Sequence, residues 1–231
     1  MKNKCCIVIP TYKEYVKLKD FEKKTLSNTI SLMSSYDIIL LCPNSLKTNG
    51  YEECGICNFM RFDDYFFNGV KRYNELMLSP SFYEKFSKYE YMLITQLDSW
   101  IFEDKLDYFL NLGYDYIGGL HYINRGTNIY HPNADDKLIN GNGGFSLRKI
   151  GSFIEASKNI KKDLNNKWDW EDVLYSYWYK DHMNIAPDAV SLKFGWQQDP
   201  EICFKNNNKE LPFGCHKPFI FDNQNKIYQI K

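Results

Sequence analysis

The fold class predicted here is an α/β sandwich with a mostly parallel central sheet, and three observations predict it. Apolar runs of strand length recur at residues 5–11, 37–43 and 91–98. Segments with helical spacing alternate with them, the pattern of strands joined by crossover helices. The chain has 231 residues, enough to bury one sizeable core. Right-handed crossovers then bring the carboxyl ends of the strands to one edge, so Pro10, Thr11 and Asp98 should share it.

The elements follow in order. Residues 5–11 form a continuous apolar strand ended by Pro10. Residues 16–33 carry Leu18, Phe21, Leu26, Ile30 and Met33 at the spacing of an amphipathic helix. Residues 37–43 read as a second buried strand and residues 58–62 as a short third. Residues 68–89 are helical with a break near Pro80, which cannot sit inside a helix without disrupting it. A strand then runs into Asp98. Residues 104–112 read as a helix and 114–119 as another strand. The second half is less regular. Residues 121–139 are polar, contain Gly and Pro, and read as a long loop, a length that goes with function or mobility in a compact domain. Residues 140–149 read as a glycine-rich turn running into a strand. Residues 152–165 and 168–180 look helical, 189–194 look like a strand, and the rest reads as loop and tail.

The bulk properties exclude several classes. Lys plus Arg and Asp plus Glu number 29 each, so no overall field attracts nucleic acid. No apolar run approaches the ~20 residues that span a bilayer. The basic start is followed by only a very short apolar segment and reads as a first strand, not a signal peptide. Seven cysteines without small-scaffold spacing point to reduced thiols and a cytoplasmic location. Cys54 and Cys57 lack the second pair of a zinc site. The 18 tyrosines, 16 phenylalanines and 5 tryptophans suit a packed enzyme or a surface that stacks flat ligands or sugar faces.

Four local features carry candidate chemistry. The first is Gln96-Leu97-Asp98. A carboxylate at the end of a buried strand is expensive to desolvate, and ligands of α/β sheets bind at that edge. Asp98 either caps the following turn or holds a divalent cation. The second is Asn142-Gly143-Gly144, preceded by Gly141, where glycines allow positive φ and let a ligand lie against bare backbone. An ordinary tight turn is the other reading. The third is Glu171-Asp172, flanked by Trp168 and Trp170. Acidic residues in a first helical turn are favoured by the helix dipole; a carboxylate beside an aromatic platform also suits a general base acting on a sugar hydroxyl. The fourth is His216, which follows Gly214 and Cys215 and is either structural or a second ligand on the cation at Asp98.

In this order, a Pro-Thr strand opening, Gln-Leu-Asp, Asn-Gly-Gly-Phe-Ser-Leu-Arg, Glu-Asp and Pro-Phe-Gly-x-His resemble a bacterial family of glycosyltransferases of the GT-A fold, known mostly by sequence. The likeness covers roughly residues 5–217. It implies a single GT-A-like, Rossmann-type catalytic domain over 1–231. Residues 5–120 would form its nucleotide-binding half and 121–217 its donor-sugar and acceptor half, with 218–231 a tail. The resemblance further implies a Mn2+ or Mg2+ cofactor held by Asp98 and His216. Gln96 stands where such enzymes carry the first Asp of an Asp-x-Asp motif. Pro10, Thr11, Gln96, Asp98, Asn142, Gly143 and Gly144 would bind the donor, and Trp168 and Trp170 the acceptor. Asp172 would be the base of an inverting transfer, with Glu171 as its substitute.

The expected activity is transfer of a sugar from a nucleotide-sugar donor, foremost a UDP-sugar, to a hydroxyl of a glycan or lipid-linked glycan in surface polysaccharide synthesis. A lipid-linked acceptor would bring the enzyme to the inner membrane face, where Lys158, Lys161, Lys162 and Lys167 could assist docking; a solvated helix face explains these lysines equally well. The alternatives are a nucleotidyltransferase that makes nucleotide sugars and a non-catalytic carbohydrate-binding protein on the same fold. The loop after the first strand lacks the glycines with which nucleotidyltransferases grip a triphosphate.

Overall fold

The computed structural model describes residues 3–122, 138–163, 170–197 and 199–218. The loop core at 123–137, Trp168 and the tail beyond 218 lie outside the described residues, as do Lys167 and the side chains of Lys161 and Lys162.

Nine strands form one sheet. In chain order they are β1 (Asn3–Pro10), β2 (Asp37–Pro43), β3 (Asn58–Phe62), β4 (Tyr89–Thr95), β5 (Ser99–Ile101), β6 (Tyr116–Tyr122), β7 (Leu138–Lys149), β8 (Gly195–Trp196) and β9 (Gly214–His216). Their spatial order is β3-β2-β1-β4-β7-β6-β8-β9-β5. The strands β3, β2, β1 and β4 pair in parallel, as do β6, β8 and β9. Antiparallel pairing enters at β7, between β4 and β6, and at β5. The fold is therefore Rossmann-like α/β with a large, mostly parallel sheet, as expected.

Side-chain alternation builds two cores from one sheet. Cys5, Ile7 and Ile9 of β1 pack on one face with Leu26 of α1 (Asp20–Leu32) and Phe109 of α5 (Leu106–Asn111). Cys6 and Val8 pack on the other face. They meet Met77 of α3 (Val70–Met77), Phe82 of α4 (Pro80–Glu84) and Phe153 of α6 (Ile150–Asp163). Strands buried on both faces read as continuous apolar runs, which is why they were legible. No helix among the described residues is long and apolar enough to cross a membrane.

Three expectations are corrected. The strand before Asp98 stops at Thr95, and Gln96 to Asp98 form a tight turn closed by Ser99 N donating to Gln96 O at 2.9 Å. Residues 140–149 are strand throughout, inside β7. Residues 188–194 form a helix, α8 (Asp188–Phe194), not a strand. Val190, Leu192 and Phe194 match a period of two, but Ser191 and Phe194 are the buried positions, a helical spacing. The short helices α2 (Asn49–Glu53) and α9 (Pro200–Asn206) and the strands β5, β8 and β9 carry too few residues for a periodic signal.

Candidate active site

The site begins with a strand pairing between distant segments. In the β5–β9 ladder Ser99 sits opposite His216, which places His216 beside Asp98, the residue before β5. Lys217 N donates to Asp98 O at 2.7 Å and closes the corner. His216 Nε2 then lies 3.1 Å from Asp98 Oδ1 and 3.2 Å from Gln96 Oε1. The imidazole is buried, whereas Asp98 is half-buried. Burial pushes the Asp98 carboxyl up, but the His216 hydrogen bond and charge, aided by Lys217, outweigh it and hold the group below the ordinary carboxylate range.

The donor set at this corner is one carboxylate oxygen, one imidazole nitrogen and one amide oxygen. Such a mix of nitrogen and oxygen ligands fits Mn2+, and with fewer protein ligands Mg2+. Among the described residues no three His, Cys, Asp or Glu side chains converge as a closed metal cage.

Gly143 and Gly144 connect this corner to the opposite wall. They lie on β7 where its pairing with β6 slips: Gly118 faces Ser146, but Gly119 faces Asn142. Such a bulge re-aims side chains next to a site. A Cβ on Gly144 would sit 2.5 Å from His216 Nε2, and one on Gly143 would sit 2.4 Å from Glu171 Oε1. Successive residues of the ribbon thus press against the two halves of the site, with no room for any side chain. The glycines at 143 and 144 are required by close approach; positive φ is found at Gly141 (136°) instead. Asn142 Oδ1 accepts from Gly144 N and Phe145 N, at 3.1 Å each, and fixes the ribbon.

On the far wall Glu171 and Asp172 open α7 (Glu171–Val173) and have separate environments. Glu171 is buried and its Oε1 accepts from Arg148 Nη2 at 2.9 Å. Arg148 is fully buried and also donates to Tyr83 Oη at 2.9 Å and to Ser146 Oγ at 3.0 Å. Burial raises the Glu171 carboxyl above its usual range, with Arg148 opposing. Burial alone would depress the Arg148 guanidinium, but Glu171 holds it firmly protonated. The pair fastens α7 to the sheet. Asp172, half-buried, accepts Gly143 N on Oδ2 at 3.0 Å and Val173 N on Oδ1 at 2.9 Å. Each oxygen keeps a lone pair for a further donor.

These residues line one cleft of about 850 Å³. Its walls include Pro10, Thr11, Gln96, Asp98, Asn142, Gly143, Gly144, Trp170, Glu171, Asp172 and His216. Every expected site residue among the described residues is therefore brought to one place. Thr11 is held by Tyr51, whose hydroxyl lies 3.2 Å from Thr11 Oγ1. Trp170 precedes α7 and is half-buried. The lining carries the carboxylates of Glu22, Asp98, Glu171 and Asp172 against Lys13 and Lys217. Lys13 is already paired with Glu22 at 2.6 Å. Glu171 is paired with Arg148 and Asp98 with His216.

Residues 57–216 match the family model described as "Protein of unknown function (DUF5672)". The chain belongs to that family. The matched span takes in the Gln96–Asp98 turn, the β7 ribbon, α7 and His216, and leaves out Pro10 and Thr11. Two solved structures are similar in outline. A crystal structure of A197 from STIV is 16% identical over 79% of this chain and 80% of that chain, with a TM-score of 0.39. A crystal structure of a glycosyltransferase involved in the glycosylation of the major capsid of PBCV-1 is 14% identical, with a TM-score of 0.46, over 91% of this chain and 93% of that chain. No curated protein matches the chain.

Sequence reasoning missed Arg148, Gln197 and Lys217 as parts of the site. Arg148 carried a signal: an arginine on a buried strand needs a buried anion. Gln197 and Lys217 carried none, because each owes its place to the short strands β8 and β9.

Proposed function

We propose that this protein is a nucleotide-sugar-dependent glycosyltransferase acting on a hydroxyl of a glycan or lipid-linked glycan, with inversion at the anomeric carbon. The observation that carries the reading is the pairing of Asp98 with His216 on one side of a two-glycine ribbon and Asp172 on the other. A cation site and a carboxylate with open lone pairs thus face one acidic, aromatic-lined cleft. Asp98, His216 and Gln96 would hold Mn2+ or Mg2+, which when bound neutralises charge on the departing diphosphate. Pro10 and Thr11 would border the nucleoside, and the bare backbone of Gly143 and Gly144 would let the donor sugar lie flat. Asp172 would take the acceptor proton, and Trp170 would pack against an acceptor sugar face. Glu171 serves as the anchor of α7 through Arg148.

The test is a thermal-shift panel of nucleotide sugars, each with and without Mn2+, followed by an assay for sugar transfer. Stabilisation grows as ln(1 + [L]/Kd), so a true donor stands out, and only with metal. Absence of any metal-dependent shift across UDP-, GDP-, TDP- and CMP-sugars would refute the donor site. Metal-dependent binding without transfer to any glycan would favour a carbohydrate-binding protein on this fold.

A further inference from the structure

His216 faces oxygen with both ring nitrogens. Nε2 looks toward Asp98 and Gln96, and Nδ1 lies 3.4 Å from Gln197 Oε1. Gln197 follows β8, and its backbone N donates to Leu120 O at 3.1 Å, so the residue is anchored to the sheet independently of His216. Its Oε1 also accepts from Asn142 Nδ2. Asn142 in turn binds Gly144 N and Phe145 N. A continuous chain of polar contacts therefore runs from the glycine ribbon through Asn142 and Gln197 to the far side of the His216 ring.

We propose that Gln197 is a positioning residue that holds His216 as an Nε2 ligand by accepting a hydrogen bond from its Nδ1–H, and that Asn142 holds Gln197 in place. The proposal rests on the reading of Asp98 and His216 as a cation site. The physical reason is that a neutral imidazole carries one proton. If Nε2 gives a lone pair to a cation, the proton must reside on Nδ1 and needs an acceptor in this buried place. Gln197 Oε1 is the acceptor that faces Nδ1, and its amide is held with oxygen toward the ring because Asn142 Nδ2 donates to the same atom. A metal-bound histidine whose other nitrogen lacks such a partner is free to tilt and is a poorer ligand. The same chain couples the cation corner to the ribbon against which the sugar would lie.

The experiment compares the wild type, Gln197→Met and His216→Ala. Gln197→Met keeps length and shape but removes the acceptor. The probe is Mn2+ alone, titrated by calorimetry without nucleotide, with thermal melts to confirm that each variant is folded. A second readout is 15N–1H NMR of the imidazoles with Cd2+, a diamagnetic stand-in. The expected result is a ~10–100-fold weaker Mn2+ affinity in Gln197→Met, a larger loss in His216→Ala, and a downfield, exchange-protected His216 Nδ1–H in wild type that disappears in Gln197→Met. A folded Gln197→Met with wild-type Mn2+ affinity, while His216→Ala loses it, would overturn the role of Gln197 alone. Unchanged affinity in His216→Ala would overturn the cation site and this proposal together. A weakened Gln197→Met that retains the protected Nδ1–H would also overturn it, since the loss would then not pass through that proton.

Discussion

Substituting Gly144 by alanine separates the close-approach account of the ribbon from the turn account. The new Cβ would lie 2.5 Å from His216 Nε2, 2.6 Å from Cε1 and 2.8 Å from Cδ2. Unstrained contacts between such atoms are about 3.5–4.0 Å, so the ring or the ribbon must withdraw by roughly 1 Å. The ring is buried and cannot swing into solvent. Withdrawal stretches the 3.1 Å and 3.2 Å contacts to Asp98 and Gln96 toward roughly 4 Å, beyond hydrogen-bond reach. Overpacking of this kind costs ~1–3 kcal/mol. The expected result is an unfolding free energy in urea lowered by that amount and Mn2+ affinity reduced at least ~10-fold, as for other displaced ligand shells. Gly151→Ala is the control. Nothing lies within 4 Å of its added Cβ, and it sits in α6, so it should be neutral or stabilise by ~0.5–1 kcal/mol. Wild-type Mn2+ affinity and stability in Gly144→Ala would refute both the tight packing at the ribbon and the dependence of the cation corner on it.

Arg148→Met should destabilise the protein by ~3–5 kcal/mol in urea unfolding, because it leaves the Glu171 carboxylate buried without its partner; the double variant with Glu171→Gln should recover much of that loss. Asp172→Asn should keep the fold and donor affinity while transfer falls by ~10²–10⁴, the range for a positioned general base; near-normal turnover in a steady-state assay would remove Asp172 from that role. The depressed Asp98 carboxyl has a definite sign. Its stabilising contribution is present above the ordinary Asp range and disappears as pH falls through the lower folded value. Asp98→Asn should therefore flatten the acid limb of a stability-versus-pH curve below about pH 4, and an unchanged acid limb in denaturant titrations would contradict the His216 contact.

The sequence by itself determined the sandwich and most of the residues that meet in its cleft. β1, β2 and β4 are buried on both faces by α1, α5, α3 and α6, so their apolar runs stand out without any knowledge of partners. Asp98, Glu171, Asp172 and His216 stood out because a charged or titratable group beside an apolar run or a glycine turn needs a reason. What only the tertiary structure decided is how these groups divide the work. Glu171 and Asp172 are neighbours in sequence, yet Glu171 is clamped by the Arg148 side chain while Asp172 accepts from the Gly143 backbone, two different partners on the same strand β7. Gly143 and Gly144 looked like a turn because glycine is ambiguous between backbone freedom and absent volume. Only the positions of His216 and Glu171 show that volume is the constraint here. Three-residue strands such as β5 and β9 have no periodicity of their own, and they alone bring residues 98 and 216 together. Short pairings of this kind are fixed by the sheet that receives them, so no local pattern could announce them.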